Sequence, residues 1–152
     1  MRWGKHIAAL GILAVTASLA LAETAPEDVK FEDMAVNESL TGQPGNPEEG
    51  AKVFSDRKAG NCLACHANKE KSKELFHGTV GPSLDGVASR YEPAQLRAIV
   101  ANAKMIFTED TVMPGFYSLK VGANVAKDRQ GQTILTAQQV EDVVAYLATL
   151  KD

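Results

Sequence analysis

The arrangement of apolar and polar residues predicts three α-helices separated by long loops. The first begins at Asn46-Pro47, because Asn is a good N-cap and Pro suits the first helical position. Gly60 is placed to end this helix. A second helix follows Pro93, where four apolar residues recur at the i, i+3, i+4, i+7 spacing of an amphipathic stripe: Leu96, Ile99, Val100 and Ala103.

The last helix has the clearest signal and is predicted over residues 137–150. Thr136 and Gln139 have the spacing of a capping box. The same apolar stripe follows: Val140, Val143, Val144 and Leu147. Turn-rich stretches containing Gly and Pro separate the helices. The predicted fold class is therefore all-α with long loops.

Residues 1–22 have the pattern of a secretory signal peptide. Arg2 and Lys5 precede an apolar stretch that ends at Ala20-Leu21-Ala22, an A-x-A cleavage site. The stretch is shorter than the roughly 20 residues that a spanning helix needs. We expect cleavage after Ala22, export to the periplasm and no membrane span, with an uncleaved N-terminal anchor as the alternative.

Residues 23–46 mix acidic residues, Pro and Gly without sustained periodicity. They are predicted to form an N-terminal extension that contains a short helix around residues 33–40, and disorder is the alternative. Residues 47–152 then form a single domain.

The charge of the chain argues against nucleic-acid binding. The formal net charge is −3, and removal of Arg2 and Lys5 with the signal peptide makes it more negative. Contacts with phosphates need a basic face. Aromatic residues make up only 6% of the chain, so a large apolar cofactor would form a substantial part of its core.

The sequence Cys62-Leu63-Ala64-Cys65-His66 is the attachment signal for haem c. In a helical turn the two thiols and the imidazole lie on one face, where the thiols can add to the haem vinyl groups and the imidazole can reach the iron. A thioredoxin-like dithiol would require a strand–helix pattern that is not present. A zinc site would need four ligands and would have to include His77.

The candidates for the ligand on the opposite side of the iron are Met34, Met105, Met113 and His77, and Met113 is predicted. It is followed by Pro114-Gly115, a turn that would project its side chain. Met105 ends the second helical stripe and is expected in the core, and a surface position is expected for His77. Iron held by His66 and Met113 exchanges electrons and has no open position. If Met113 does not bind iron, the alternative is a haem enzyme or sensor with an open site.

These residues resemble the class I cytochromes c over about residues 47–152. Gly50 and Phe54 are similar to the pair on that family's first helix, which crosses the last helix near an aromatic residue, here Tyr146. The stretch 81–84 (GPSL) is similar to the family's G-P-x-L turn, in which the Pro82 carbonyl accepts a hydrogen bond from the haem histidine. The resemblance implies helices wrapped around one covalently bound haem, with Cys62, Cys65, His66 and Met113 as its protein ligands.

Three stretches are similar to the SoxX family, the small cytochrome subunits of SoxAX complexes: 81–91 (GPSLDGVASRY), 113–117 (MPGFY) and 135–151 (LTAQQVEDVVAYLATLK). This resemblance implies a periplasmic L-cysteine S-thiosulfotransferase that attaches thiosulfate oxidatively to a cysteine of a SoxYZ-like carrier. A SoxA-like haem subunit would hold the reacting haem. This chain would not be catalytic alone and would pass electrons to a cytochrome c acceptor.

A free monomeric electron shuttle is the main alternative, because it would use the same haem residues. The N-terminal extension and the loop 117–136 are larger than a minimal carrier needs, which favours a partner. Lys69, Lys71 and Lys73 form a basic run that is either a solvated loop or a docking surface for an acidic partner.

Overall fold

The computed structural model describes residues 23–152, so the predicted signal peptide lies outside the described residues. Three α-helices form the domain: α1 (Pro47–Ser55), α2 (Pro93–Ile106) and α3 (Ala137–Leu147). Besides these helices, the described part of the chain contains short 3-10 turns and one isolated β-bridge, and it contains no strand. Within residues 23–152, no helix has both the length and the apolar character that a membrane crossing requires.

Helix α1 begins where the sequence predicts and ends earlier. Asn46 Oδ1 accepts the backbone N–H groups of Glu48 at 2.9 Å and Glu49 at 3.2 Å, which caps the first turn. The prediction that Gly60 ends this helix is wrong. Asp56 already has an extended conformation, and its Oδ1 accepts the N–H of Lys58 at 2.8 Å. This side-chain turn replaces the next helical hydrogen bond.

Helix α2 carries its predicted apolar stripe but is interrupted at Asn102, whose φ of −157° and ψ of 89° are not helical. Leu96 and Val100, before the interruption, are buried. Met105, expected in the core, lies beyond it and is 62% exposed, so that expectation is wrong. Ala103, the last residue of the stripe, is still buried, but beyond it the interrupted helix leaves Met105 at the surface.

Helix α3 has the predicted capping box. Thr136 Oγ1 accepts the N–H of Gln139 at 3.2 Å, and Gln139 Oε1 accepts the N–H of Thr136 at 2.9 Å. The helix ends at Leu147 rather than at residue 150, because a tighter turn follows in which the Leu150 N–H donates to the Leu147 carbonyl at 3.1 Å.

Helices α1 and α3 cross in close contact, as predicted. A Cβ atom on Gly50 would lie within 2 Å of the Asp142 carbonyl oxygen (1.9 Å), so the crossing leaves no room for a side chain there. One turn further on, the rings of Phe54 and Tyr146 meet edge to face at 5.3 Å between centroids. The Tyr146 hydroxyl accepts a 2.9 Å hydrogen bond from the buried Asn68 side chain.

The N-terminal extension has no helix over residues 33–40, and this expectation is corrected. Asp33 and Met34 have positive φ angles of 47° and 63°, which no α-helix tolerates. They form a turn closed by paired backbone hydrogen bonds between Glu32 and Ala35, 2.9 and 2.8 Å long.

The extension is held against the helices by a buried ion pair. Arg97 of α2 donates to both carboxylate oxygens of Glu141 on α3, at 2.8 and 3.0 Å, and to the Val36 carbonyl at 2.9 Å. Glu141 Oε1 also accepts the N–H of Leu40 at 2.7 Å. Val36 and Leu40 are themselves buried. Removing either member of such a pair leaves an uncompensated charge in the interior.

The helix crossing predicts that Gly50→Ala destabilises the protein, although alanine is the better helix former by about 1 kcal/mol. The added methyl group would force α1 and α3 apart, and we expect a loss of about 3 kcal/mol in the free energy of unfolding. Lys52→Ala, at an exposed position of the same helix, is the control and should change this free energy by about 0.5 kcal/mol or less. Equal stability of the two variants in chemical denaturation would contradict the crossing.

Candidate haem-binding site

The predicted attachment motif forms one tight helical turn. Cys62–Ala64 is a 3-10 turn that follows Asn61 in a left-handed conformation, with φ of 49°. The Cys62 carbonyl accepts the N–H groups of Cys65 at 3.1 Å and His66 at 2.9 Å. The turn brings the side chains of Cys62, Cys65 and His66 to the wall of the same cavity, as the spacing predicts.

The ring of His66 is oriented by the turn over residues 81–84. Its Nδ1 lies 2.7 Å from the Pro82 carbonyl oxygen, a distance that requires Nδ1 to carry the proton and donate it. Nε2 then keeps its lone pair for a metal. A Cβ atom on Gly81 would lie 2.3 Å from His66 Cε1, so the ring packs against a backbone that must lack a side chain.

The cavity has a volume of about 1040 Å³, and all three helices contribute to its walls. Phe54 comes from α1, Leu96 and Val100 from α2, and Val143 and Leu147 from α3. These side chains are apolar, so the cavity favours a large, flat and mostly hydrophobic group over a hydrated ion.

Met113 also lines this cavity and is partly buried against the core. The residues after Met113 attach its loop to α2. The N–H of Phe116 donates to the Val100 carbonyl at 3.3 Å, and the N–H of Tyr117 donates to the Ala101 carbonyl at 2.9 Å. The Phe116 carbonyl in turn accepts the N–H of Leu135 at 2.9 Å. The structure therefore brings together all four residues predicted for the haem.

The chemistry of these residues fits haem c better than the alternatives considered from the sequence. No disulfide joins Cys62 and Cys65. Burial raises the pKa of the Cys62 thiol to about 12, whereas a redox-active dithiol needs a depressed thiol pKa. Residues 23–152 contain no cluster of three or more His, Cys, Asp or Glu side chains that would hold a metal ion by themselves. An apolar cavity edged by two thiols, an imidazole and a thioether suits haem.

The remaining candidates lie away from this cavity. His77 is half-buried and its ring braces a loop: Nδ1 accepts the N–H of Asn68 at 3.3 Å, and Nε2 lies 3.0 Å from the Lys71 carbonyl oxygen. Met34 and Met105 are exposed. In the basic run, the Lys69 ammonium group lies 3.8 Å from Asp85, and that of Lys71 lies 5.4 Å from the centre of the Tyr146 ring.

Two arginines at the cavity were missed by the sequence analysis. Arg57 and Arg90 both line it, and the Arg90 guanidinium donates to the Ser83 and Asp85 carbonyls at 3.0 and 2.8 Å. Arg90 thereby stabilises the turn that orients His66. Arg90 lies within the SoxX-like stretch 81–91, so that resemblance could have marked it, whereas no periodicity or motif marks Arg57.

Comparison with known proteins identifies the family. The cytochrome c family matches residues 47–151. Among solved structures, SoxXA from P. pantotrophus is 47% identical, covers 86% of this chain and 100% of its own, and superposes with a TM-score of 0.79. Ferric cytochrome c-550 from Paracoccus versutus is 23% identical, covering 71% of this chain and 99% of its own, with a TM-score of 0.40. Cytochrome c2 from Paracoccus denitrificans is 20% identical, covering 70% and 97%, also with a TM-score of 0.40. A search of curated proteins found no match.

The chain therefore belongs to the cytochrome c family. The predicted all-α class I cytochrome c fold and the predicted resemblance to SoxX are both confirmed. The protein is a monohaem electron-transfer cytochrome that carries haem c covalently.

The contact between Gly81 and the His66 ring predicts the effect of Gly81→Ala. The methyl group would displace the imidazole, so we expect less covalent haem per chain and an altered ferric electron paramagnetic resonance spectrum, which reports the orientation of the imidazole. Ser83→Ala in the same turn is the control and should leave both measurements unchanged. A normal spectrum and a normal haem content in Gly81→Ala would contradict this role of the glycine.

Proposed function

We propose that Cys62 and Cys65 attach the haem through thioether bonds and that His66 and Met113 provide its two axial ligands. The observation that carries this proposal is that these four side chains line one apolar cavity. Met34 and Met105 are exposed and absent from its walls, so among residues 23–152 Met113 is the methionine on the cavity. When bound, the haem supplies a centre that gains and loses one electron at its iron.

The side chains around that centre set what it can do. The hydrogen bond to Pro82 fixes the protonated nitrogen of His66 and so the direction of its other nitrogen. Bound to the iron, the soft thioether of Met113 would favour the ferrous state and raise the reduction potential. It would also occupy the position at which a small molecule could otherwise bind. The arrangement supports electron transfer and disfavours an open-site enzyme or sensor.

We further propose that this cytochrome is the electron-transfer subunit of a periplasmic SoxAX complex. The supporting observation is its 47% identity to SoxXA over the full length of the matching chain. In this proposal a SoxA-like subunit carries the reacting haem and attaches thiosulfate to a cysteine of a SoxYZ-like carrier. This chain then takes up the electrons and delivers them to a cytochrome c acceptor.

An exposed apolar patch next to the cavity supports a partner protein. Val80 and Val112, which is beside Met113, are 69% and 76% exposed, and both line the cavity. Phe107 is 48% exposed and lines the cavity too. Exposed apolar side chains around one cavity favour contact with another surface. We name Val80, Phe107 and Val112 the apolar rim and propose that the SoxA-like subunit covers it.

The partner is tested by reconstitution. Thiosulfate-dependent reduction of an external cytochrome c should require both this chain and its SoxA-like subunit, and the two should co-elute at micromolar concentration. Val112→Asp should weaken both properties, whereas Leu119→Asp, at an exposed apolar position outside the cavity, should not. If this chain turns over fully without the partner, or if no complex forms, the free shuttle becomes the better explanation.

The axial ligand is tested by comparing two methionines. Met113→Ala should abolish the near-infrared Met-to-iron band of the ferric protein, lower the reduction potential and let carbon monoxide bind the ferrous form. Met105→Ala should change none of these and, because Met105 is exposed, should alter the free energy of unfolding by only about 0.5 kcal/mol. The opposite result for the two variants would refute the assignment of Met113.

A further inference from the structure

The interruption of α2 is in contact with the loop that carries Met113. Asn102 has an extended conformation in the middle of the helix, between Ala101 and Ala103, which are both fully buried. Such a break frees backbone groups that a continuous helix would pair internally. The carbonyls of the two residues before it accept instead the N–H groups of Phe116 and Tyr117. The loop is thus attached to the helix at the point where the helix opens.

The side chain of Asn102 contacts the same loop. Its Oδ1 is buried and has no hydrogen-bond partner within residues 23–152. A Cβ atom on Gly115 would lie 2.8 Å from Oδ1 and 2.9 Å from Cγ, so the amide packs directly against that glycine backbone. Gly115 is only two positions after Met113. A buried, unpaired acceptor is unfavourable, and its presence here requires an explanation other than stability.

The segment before Met113 is held by the same end of α2. The Lys104 ammonium group, two residues beyond Asn102, donates to the carbonyls of Glu109 at 3.0 Å and of Thr111. Thr111 is two positions before Met113. The kinked end of α2 therefore binds the chain on both sides of the methionine.

We propose that Asn102 is a positioning residue for Met113. Its extended conformation directs two α2 carbonyls to the Met113 loop, and its amide side chain limits how far the Gly115 turn can move. The inference rests on the proposed role of Met113 as an axial ligand. Asn102 would thereby influence the strength of the bond between the methionine and the iron, whereas the attachment turn and His66 are held by other hydrogen bonds.

The test compares Asn102→Ala with Val140→Ala in the haem-loaded protein. Val140 is fully buried on α3 and does not line the cavity, so its truncation lowers global stability without changing the cavity wall. On heating Asn102→Ala, we expect the near-infrared band to be lost with a midpoint at least about 5 °C below the midpoint of the helical circular dichroism signal. The affinity of the ferrous protein for carbon monoxide should rise about tenfold or more, because a weaker bond from Met113 increases the population in which the iron lacks this ligand. In Val140→Ala the band and the helical signal should shift together, with carbon monoxide affinity unchanged.

If Asn102→Ala matches Val140→Ala in both measurements, the positioning role is overturned. Met113→Ala in the same assays separates this outcome from a failure of the proposed function. If the near-infrared band persists in Met113→Ala, Met113 is not the axial ligand and the proposed function itself fails. If Asn102→Ala gives no folded haem protein, Gly115→Ala provides the test instead. Its methyl group disrupts the same contact between the Asn102 amide and the Gly115 backbone, but from the loop. If the near-infrared band of Gly115→Ala is lost at a lower temperature than the helical signal, the inference is supported. If both are lost together, it is overturned.

Discussion

The crossing of α1 and α3 at Gly50 is the contact on which the rest of the structure depends. Because the α1 backbone lies against the Asp142 carbonyl, the two helices hold the Phe54 and Tyr146 rings together and form a fixed wall of the cavity. The segment that leaves α1 is tied back to it by the Gly60 N–H, which donates to the Val53 carbonyl at 3.2 Å. The attachment turn follows at once, so the helix crossing determines where both thiols lie.

That wall encloses a space that no side chain of the domain fills. Protein interiors are otherwise packed as densely as organic crystals, and a cavity of about 1040 Å³ is far larger than packing defects in a domain of this size. The apolar faces of the three helices are therefore complementary to the cofactor as much as to one another. Binding of haem contributes to the stability of the folded chain, because the site is assembled only in the folded state.

The features predicted correctly from sequence are those fixed by nearby residues: the caps at Asn46 and Thr136, the attachment turn and its neighbouring histidine. The G-P-x-L resemblance also predicted the Pro82 contact. The error at Met105 has a long-range cause, because the carbonyls freed before Asn102 are paired by the N–H groups of residues 116 and 117, far along the chain. Other errors are local. The turns at Asp56 and at Asp33 depend on side-chain and backbone conformations that residue patterns do not specify.

The two sides of the haem site are consequently held in different ways. His66 is fixed by its own helical turn and by Pro82, sixteen residues away, whereas Met113 sits on a loop held by α2 and by Leu135. A loop without a helical turn of its own opens locally more readily than a tight turn does, so the methionine side is the more adjustable one. In the proposed complex the partner covers Val112, the residue immediately before Met113. Association would thus exclude water from the loop that carries the proposed Met113 ligand, and a subunit interface at this position would act on the haem potential as well as on the distance of electron transfer.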